Sequence, residues 1–327
     1  MTPLDLIARG LLTVVIVAAL FGVGATLANH LDQWRLYHRL VRANSQRRMR
    51  GMSQEPVRVF VGCAPDGLDA ESLAVLEYTI RKHASLPVEI TWMMQSPDPA
   101  SPFGGWNTSA WATPFSAFRW AVPELCGFAG RGLYMDSDVI VLADLAELWR
   151  QDFQPGKVVL AKGGAQAWRY CVSLWDCAAM RDHLPPIAAM KRDAGTHRTL
   201  CRFFAQSQKL VQGFAGNWNC LDGEQYADLA DPDIKILTTT SMPHQPHLRL
   251  ALPRLRAAGR QHWFKGKPAL HWRPDVIALF DRLLAEAEAA GFKVENYLPE
   301  ADRAATALQI AGGRGLDGRH RPSGVEG

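Results

Sequence analysis

The feature of this sequence that most restricts its fold is an apolar strand followed by a helix and a second strand. Residues 57–62 (VRVFVG) form a continuous apolar and β-branched run, which is typical of a strand buried on both faces. Residues 70–83 place apolar side chains at helical spacing, and residues 87–93 (PVEITWM) return to a strand pattern. Because parallel strands need a crossover connection, this order predicts a βαβ unit and an α/β fold with a mostly parallel central sheet.

Shorter patterns predict the elements that follow. A loop over residues 96–112, rich in proline and glycine, is long enough to serve a function. The remaining predicted elements are a helix over 113–119 that ends near Pro123, strands over 133–135, 139–142, 157–161, 170–175 and 234–237, and a final helix over 275–290.

An uncharged stretch, residues 10–29, precedes the α/β pattern. About 20 apolar residues in a helix span the hydrocarbon core of a bilayer, so this stretch predicts a single transmembrane anchor. A cleaved signal peptide is the alternative, and Met52 as the true start would remove the segment altogether. Residues 30–50 carry six Arg against one Asp, and positive charge beside a span stays on the cytoplasmic side. We therefore expect a single-pass protein of the inner (cytoplasmic) membrane, with its catalytic domain in the cytoplasm and its basic linker against anionic head groups.

Composition excludes several classes of protein. The chain is 48% hydrophobic and 21% charged, so it can bury a sizeable core. Its net charge of +4 is concentrated in residues 30–50, which argues against a nucleic-acid-binding body. The six cysteines form no C-x-x-C pair, which argues against a zinc ribbon and a disulfide scaffold. The predicted organisation is a short tail (1–9), a transmembrane anchor (10–29), a basic juxtamembrane linker (30–55), one α/β domain (56–300) and a C-terminal tail (301–327), disordered from about residue 312.

Two aspartates, Asp136 and Asp138, interrupt an apolar strand between residues 133 and 142. Residues two apart lie on the same side of an extended chain, and ligands of open α/β sheets bind at the carboxyl ends of the strands. Two hard oxygen donors suit Mg²⁺ or Mn²⁺, which neutralises carboxylates that are costly to bury. The alternative is a turn in which both side chains face solvent or cap the next helix.

Several segments around this pair, taken in order, resemble a known enzyme family. Beyond the first strand, helix and strand, they are 113–125 (TPFSAFRWAVPEL), 132–149 (GLYMDSDVIVLADLAELW), 170–177 (YCVSLWDC) and 217–221 (NWNCL). Over residues 57–250 the chain resembles the nucleotide-sugar glycosyltransferases of the GT-A fold, specifically glycosyltransferase family 8. The resemblance implies a GT-A (Rossmann-like) fold. It also implies transfer of a sugar from a nucleotide-sugar donor, a UDP-sugar, to a glycan or lipid-linked acceptor, with retention as the expected course.

The resemblance also implies site residues. Asp136 and Asp138 match the pair that binds Mn²⁺ or Mg²⁺ at the donor diphosphate, where the cation acts as a Lewis acid. Arg119 would contact the phosphates or the donor sugar, unless it pairs with an acidic residue inside the sheet. The other donor-binding positions are Val61, Gly62, Cys63, Ser137 and Asn219. Glu224 and Gln225 resemble the catalytic pair that faces the donor sugar, although their segment is equally typical of a turn that opens a helix.

The chain departs from the family pattern at the third metal ligand. The family places a His after a late strand, where this sequence has Thr238. His244 is our candidate for the third ligand, and His247 and His262 are alternatives. A run of basic residues follows, in which Lys267 is the candidate for a phosphate contact.

Two other functions remain open. If the change at Thr238 means lost metal binding, the chain is a non-catalytic sugar-nucleotide-binding or scaffold protein. A strand followed by D-x-D is also the nucleophile motif of haloacid-dehalogenase-type phosphatases. Val139 and Ile140 follow the second Asp here, whereas that family prefers Gly and then Thr or Val.

Overall fold

The computed structural model confirms the predicted βαβ unit and the α/β fold with a mostly parallel central sheet. The structure describes residues 55–163, 167–205, 207, 209–224, 229 and 231–299. Among these residues we find no helix with both the length and the apolar character that a membrane crossing requires. The predicted anchor (10–29), most of the basic linker and the C-terminal tail lie outside the described residues.

The described chain contains nine strands and seven α-helices. The strands are β1 (Val57–Gly62), β2 (Val88–Met93), β3 (Arg131–Asp136), β4 (Val139–Val141), β5 (Val159–Lys162), β6 (Arg169–Asp176), β7 (Val211–Gly213), β8 (Cys220–Leu221) and β9 (Ile236–Thr238). The helices are α1 (Ala70–His83), α2 (Val122–Leu125), α3 (Leu145–Trp149), α4 (Ile187–Arg192), α5 (Ala194–Ala205), α6 (Leu248–Ala257) and α7 (Pro274–Ala289).

Six strands form the main sheet in the order β2-β1-β3-β6-β5-β7. Strand β6 is antiparallel to both of its neighbours, and the other pairs are parallel. The register of β1 pairs Gly62 with Met93 of β2 and with Asp136 of β3. The last residues of three neighbouring strands therefore lie at one level, and Asp136 stands at the carboxyl edge of the sheet.

A smaller sheet, in the order β4-β9-β8, continues the chain from that edge. Strand β4 begins directly after Asp138 and is antiparallel to β9, with Val139 opposite Thr238. Strand β8 is parallel to β9 and pairs Leu221 with Thr238. Segments about 100 residues apart in the chain thereby meet beside the aspartate pair.

The helices bury the apolar faces that the sequence predicts. Helix α7 buries Val276, Phe280, Leu283 and Ala287, and it packs against α1. Helix α1 has the predicted bounds, strand β1 does too, and the other predicted strands and α7 agree with the structure to within two residues.

The predicted helix over 113–119 is wrong. A turn forms there instead, since the backbone N–H of Ser116 donates to the carbonyl of Thr113 at 3.3 Å. A 3₁₀ segment (Phe118–Ala121) follows and leads into α2. Pro123 stands in the first turn of α2, where its missing N–H costs nothing, so it opens this helix and does not end the predicted one.

Candidate active site

Asp136 is held by two neighbours at the end of β3. The Arg119 guanidinium donates to both of its carboxylate oxygens, at 3.0 and 3.3 Å, and the Tyr134 hydroxyl donates to Oδ1 at 2.6 Å. Burial lowers the pKa of Arg119, but Asp136, Tyr134, Cys171 and Cys201 together raise it by more, so the guanidinium stays charged. Burial raises the pKa of Asp136 even though Arg119 and Tyr134 oppose that rise.

Asp138 is less completely partnered. Its Oδ2 accepts a hydrogen bond from the Gln245 amide at 2.7 Å, and its backbone carbonyl accepts from Thr239. Its Oδ1 is buried without a hydrogen-bond partner among the described residues. Burial raises the pKa of Asp138 well above its usual range, and the charge of Asp136 raises it further, with Asp69 and Asp222 adding to the effect. Such a carboxylate lacks a positive charge beside it.

Both aspartates open into one cavity of about 460 Å³. Its walls come from the segment before α2, from the turn between β3 and β4, from β6, from α5 and from the segment after β9. Lining residues that bear on the chemistry are Asp69, Arg119, Asp136, Ser137, Asp138, Tyr170, Cys171, Cys201, Thr238, Gln245 and Trp263. A larger cavity of about 570 Å³, beside Trp92 and Tyr297, contains neither aspartate, so we place the candidate site in the smaller one.

The donor set of this cavity fits a divalent cation. Carboxylate oxygens are the ligands that Mn²⁺ and Mg²⁺ prefer, and the unpartnered Oδ1 of Asp138 offers one such oxygen. Arg119 already neutralises Asp136, so the uncompensated negative charge lies on the Asp138 side of the pair.

A second group of ligand-type side chains, Asp69, His247 and His262, adjoins the cavity. Their ligand atoms lie within 4.8 Å of one another, and all three residues are buried. The backbone N–H of Phe264 donates to Nδ1 of His262, so the proton of the neutral ring is on Nε2, which donates to Asp69 at 2.7 Å. A metal ligated by Nε2 of His262 would leave that backbone N–H without an acceptor, so His262 and Asp69 form a hydrogen-bonded pair. Nε2 of His247 lies 3.3 Å from Asp69 and has no hydrogen-bond partner among the described residues.

Asp222, which follows β8, and His271, which precedes α7, repeat this arrangement. Nδ1 of His271 accepts from the backbone N–H of Arg273, and Nε2 donates to Asp222 at 3.1 Å. The second oxygen of Asp222 accepts from the N–H and the hydroxyl of Thr240. Both side chains are fully buried, so this pair anchors the segment after β9 against the loop before α7.

Four of the predicted residues line the cavity together: Arg119, Asp136, Ser137 and Asp138. Asn219 lies directly behind the wall. Its Oδ1 accepts from the hydroxyl of Thr238 at 2.8 Å, and its amide donates to the Cys171 sulfur at 3.1 Å. Asn219 therefore positions two lining residues, Thr238 and Cys171, through the hydrogen bonds of its side-chain amide.

The residues that end β1 lie outside this cavity. Val61 and Cys63 are fully buried, and burial raises the pKa of the Cys63 thiol. Gly62 lies against Tyr134, and a Cβ there would overlap the Tyr134 hydroxyl and lie 2.9 Å from the Phe115 ring. The absent side chain of Gly62 thus makes room for the tyrosine that holds Asp136.

The remaining predicted residues are dispersed. Glu224 caps the turn after β8 by accepting from the N–H of Leu221, and it pairs with Lys162 at 2.9 Å. Gln225 lies outside the described residues. Lys267 is exposed and is not among the residues that line the cavity. His244 bonds to the Ser241 hydroxyl and packs edge-on against Trp272, and it is not among the lining residues either.

Sequence reasoning missed several residues of this site. Gln245, Asp69, Asp222 and Tyr134 lie near the aspartate pair, and none of them was predicted from the sequence to have a role in the site. For Tyr134 a signal was available, because a residue two positions before Asp136 on a strand points to the same face.

Sequence comparison finds one curated protein that is similar to part of this chain. No family model matches the chain. Protein CDI of Arabidopsis thaliana is 28% identical over 203 residues, which cover 55% of this chain and 74% of that protein.

The solved structures that resemble the chain include three glycosyltransferases at low sequence identity. Galactosyltransferase LgtC, in complex with donor and acceptor sugar analogues, is 14% identical, with 70% of this chain and 96% of LgtC covered and a TM-score of 0.41. GlyE of Streptococcus pneumoniae TIGR4 is 15% identical, with 73% and 65% covered and a TM-score of 0.44. The bifunctional WbbM is 14% identical, with 58% and 46% covered and a TM-score of 0.42, so the chain spans less than half of WbbM.

Proposed function

We propose that this chain is a metal-dependent glycosyltransferase of the GT-A fold. It moves a sugar from a nucleotide-sugar donor, a UDP-sugar, to a glycan or lipid-linked acceptor, with retention. The observation that carries the proposal is the aspartate pair at the carboxyl edge of the sheet, where Oδ1 of Asp138 is buried in the cavity wall without a partner. The motif segments that surround Asp136 in the sequence support the same function.

The reaction breaks the bond between the anomeric carbon and the diphosphate, forms a bond from that carbon to an acceptor oxygen, and releases the acceptor proton. Negative charge develops on the departing diphosphate. Asp136 and Asp138 would hold Mn²⁺ or Mg²⁺. When bound, the cation supplies Lewis-acid stabilisation of that charge.

The chain's own residues prepare this site. Arg119 is fixed by Asp136 and lies over the ring of Tyr134 at 5.0 Å, so a permanent positive charge stands in the cavity wall. Tyr134 and Gln245 orient the two carboxylates through hydrogen bonds of 2.6 and 2.7 Å. Groups held in this way need little rearrangement when a diphosphate enters.

The decisive experiment measures UDP binding by calorimetry with Mn²⁺ and with EDTA, together with UDP release from a panel of UDP-sugars. We expect Mn²⁺ to tighten UDP binding by at least about tenfold, because a cation held by the aspartates would neutralise charge on the diphosphate. Asp138→Asn should abolish this enhancement. Asp182→Asn, which removes an exposed carboxylate outside the cavity, should leave it intact.

Asp138→Asn also has a predicted effect on stability. The neutral amide still offers an oxygen to Gln245 and removes a buried charge that lacks compensation, so the variant should gain about 1 to 3 kcal/mol in EDTA. Thermal unfolding in EDTA and in Mn²⁺ checks this prediction. A variant that is less stable than wild type in EDTA, but still soluble and monomeric, contradicts the assignment of an uncompensated charge to Asp138.

A non-catalytic sugar-nucleotide-binding protein is the second candidate. The observation that favours it is Thr238, whose hydroxyl is buried and bonded to Asn219 at the position where the related family carries a His ligand. UDP binding without any UDP release would support this second function. Release of phosphate from monoesters, with no binding of UDP, would instead indicate a phosphatase.

We also propose that the chain is anchored in the cytoplasmic membrane with its catalytic domain in the cytoplasm. The support is the uncharged stretch 10–29 and the arginines that follow it. Nucleotide sugars are cytosolic in bacteria, so a donor site on that side of the membrane has access to them.

A further inference from the structure

A groove of about 250 Å³ lies between helix α6 and the segment that leads into α7. Its walls are mainly apolar, and they include a buried leucine of α6 and an isoleucine of α7. The apolar residues that form it are Pro246, Leu248, Leu252, Pro268, Leu270 and Ile277. An apolar groove of this size accommodates part of an alkyl or isoprenoid chain.

Two arginines line the same groove. Arg249 and Arg256 are seven residues apart on α6 and therefore lie on the same face of the helix. Nε of Arg249 is buried and has no hydrogen-bond partner among the described residues, while its Nη2 pairs with Asp281. No acidic side chain lines the groove in the described part of the chain. The groove thus combines apolar walls with two arginines, and Nε of Arg249 has no acceptor among the described residues.

The surface beside the groove exposes two large apolar side chains. Leu270 is 72% exposed and Trp272 is 48% exposed, and exposed cations Lys265 and Lys267 precede them. Exposed tryptophan and leucine beside cations are typical of a surface that meets the interface of an anionic bilayer.

The groove adjoins the candidate active site. Gln245 lines both cavities, and its amide is the donor to Asp138. His271 also lines the groove while its ring bonds to Asp222. The end of the groove at Gln245 is therefore next to the aspartate pair.

We propose that this groove is the acceptor site for a phosphate-bearing lipid drawn from the membrane surface. The hydrocarbon chain lies between Leu252 and Pro268, and the phosphate is held by Arg249 and Arg256. This inference rests on the proposed function for its biological sense, because it names the acceptor class of that site. Its binding test needs no donor and no metal.

The test is photolabelling of the full chain in nanodiscs of zwitterionic lipid. The probe is dodecyl phosphate with a diazirine in its tail, and labelled peptides are mapped by mass spectrometry. We expect labels within 245–257 and 268–277. Unlabelled dodecyl phosphate should compete, whereas inorganic phosphate and dodecanol should not, because recognition needs both the tail and the charge.

Arg249→Gln/Arg256→Gln should lower labelling by about tenfold, since two charge-assisted contacts are lost. The matched control is Arg198→Gln/Arg202→Gln, which makes the same charge change on two exposed arginines of α5. Loss of the Asp281 pair can perturb folding, so Arg256→Gln alone serves as the second variant, because the bond of its Nε among the described residues is to the Leu252 carbonyl of the same helix.

Three results would overturn the proposal: labels that map elsewhere, equal labelling by an uncharged diazirine alcohol, or no loss in either arginine variant. Labelling in the groove without any UDP release would support the lipid site and contradict the proposed glycosyltransferase activity. UDP release without labelling in the groove would support the glycosyltransferase activity and contradict the lipid site.

Discussion

Gly62 shows how a single residue supports the candidate site from outside it. The space where its side chain would stand is occupied by the hydroxyl of Tyr134, which in turn donates to Asp136. Gly62→Ala should therefore cost about 2 to 3 kcal/mol of stability and weaken Mn²⁺-dependent UDP binding, because overpacking displaces the tyrosine.

Chemical denaturation and calorimetry together check this prediction. The matched control is Gly213→Ala, because a Cβ at Gly213 has no described atom within 4 Å, and its stability should change by less than about 0.5 kcal/mol. If both alanine variants behave alike, the close packing of Gly62 against Tyr134 is not what stabilises this edge of the sheet.

His197 gives the fold a dependence on pH. Burial lowers the pKa of His197 to about 4, and the charge of Arg119 contributes to the shift. In the unfolded chain His197 is protonated near pH 6.5, whereas in the folded chain it is protonated only near pH 4. Its contribution to stability is therefore fully present above about pH 6.5 and is lost as the pH falls towards 4.

In the wild type we expect His197 to lower the free energy of unfolding by about 2 kcal/mol between pH 6.5 and 4. His197→Gln should lack this part of the pH dependence. Glutamine retains an acceptor for the Trp120 indole N–H, which bonds to Nδ1 of His197 at 3.0 Å. Urea unfolding at several pH values gives the slope. Equal slopes for variant and wild type would show that His197 titrates normally in the fold.

At the scale of elements, helix α7 closes the layer over α1 and the small sheet. Phe280 is 3% exposed and packs in one cluster with Val75 of α1 and Ile140 of β4. Phe280→Ala should cost about 3 to 4 kcal/mol, because it leaves a cavity between three elements.

Differential scanning calorimetry checks this value against Ala285→Ser, a change at an exposed position of the same helix that should be within about 0.5 kcal/mol of wild type. A melting temperature for Phe280→Ala that matches the control would mean that α7 is not packed as the structure shows.

The elements also show which sequence signals predict structure. Strand β1 and helix α1 were predicted at their observed bounds, because a continuous apolar run and a 3.6-residue period are local signals. Helices α4, α5 and α6 were not predicted. In α6 the apolar positions alternate with arginines, and Pro253 stands inside the helix, so the local signal was weak and tertiary packing decided the conformation.

At the scale of the whole molecule, the described core belongs to the unit that begins at Pro56. We expect residues 56–327, made without the preceding segment, to keep the melting temperature of the full chain to within about 3 °C and to bind UDP equally well. The full chain should need detergent, because residues 10–29 carry no charge.

Calorimetry and sedimentation of the two forms, with and without detergent, give the answer. Aggregation or loss of UDP binding in the shorter form would show that residues 1–55 belong to the folded body. If the full chain is soluble and monomeric without detergent, the prediction of a membrane anchor is wrong.

The sequence by itself determined the α/β class, the order of the first strands and helix, and the place of Asp136 and Asp138 at a strand end, because these depend on periodicities that neighbouring residues carry. Only the tertiary structure decided which groups surround that pair. Gln245 reaches Asp138 from 107 positions along the chain, and Arg119 reaches Asp136 across 17. The packing of the whole chain determines these contacts of Gln245 and Arg119, because no local sequence pattern encodes a contact between segments that are distant in the chain.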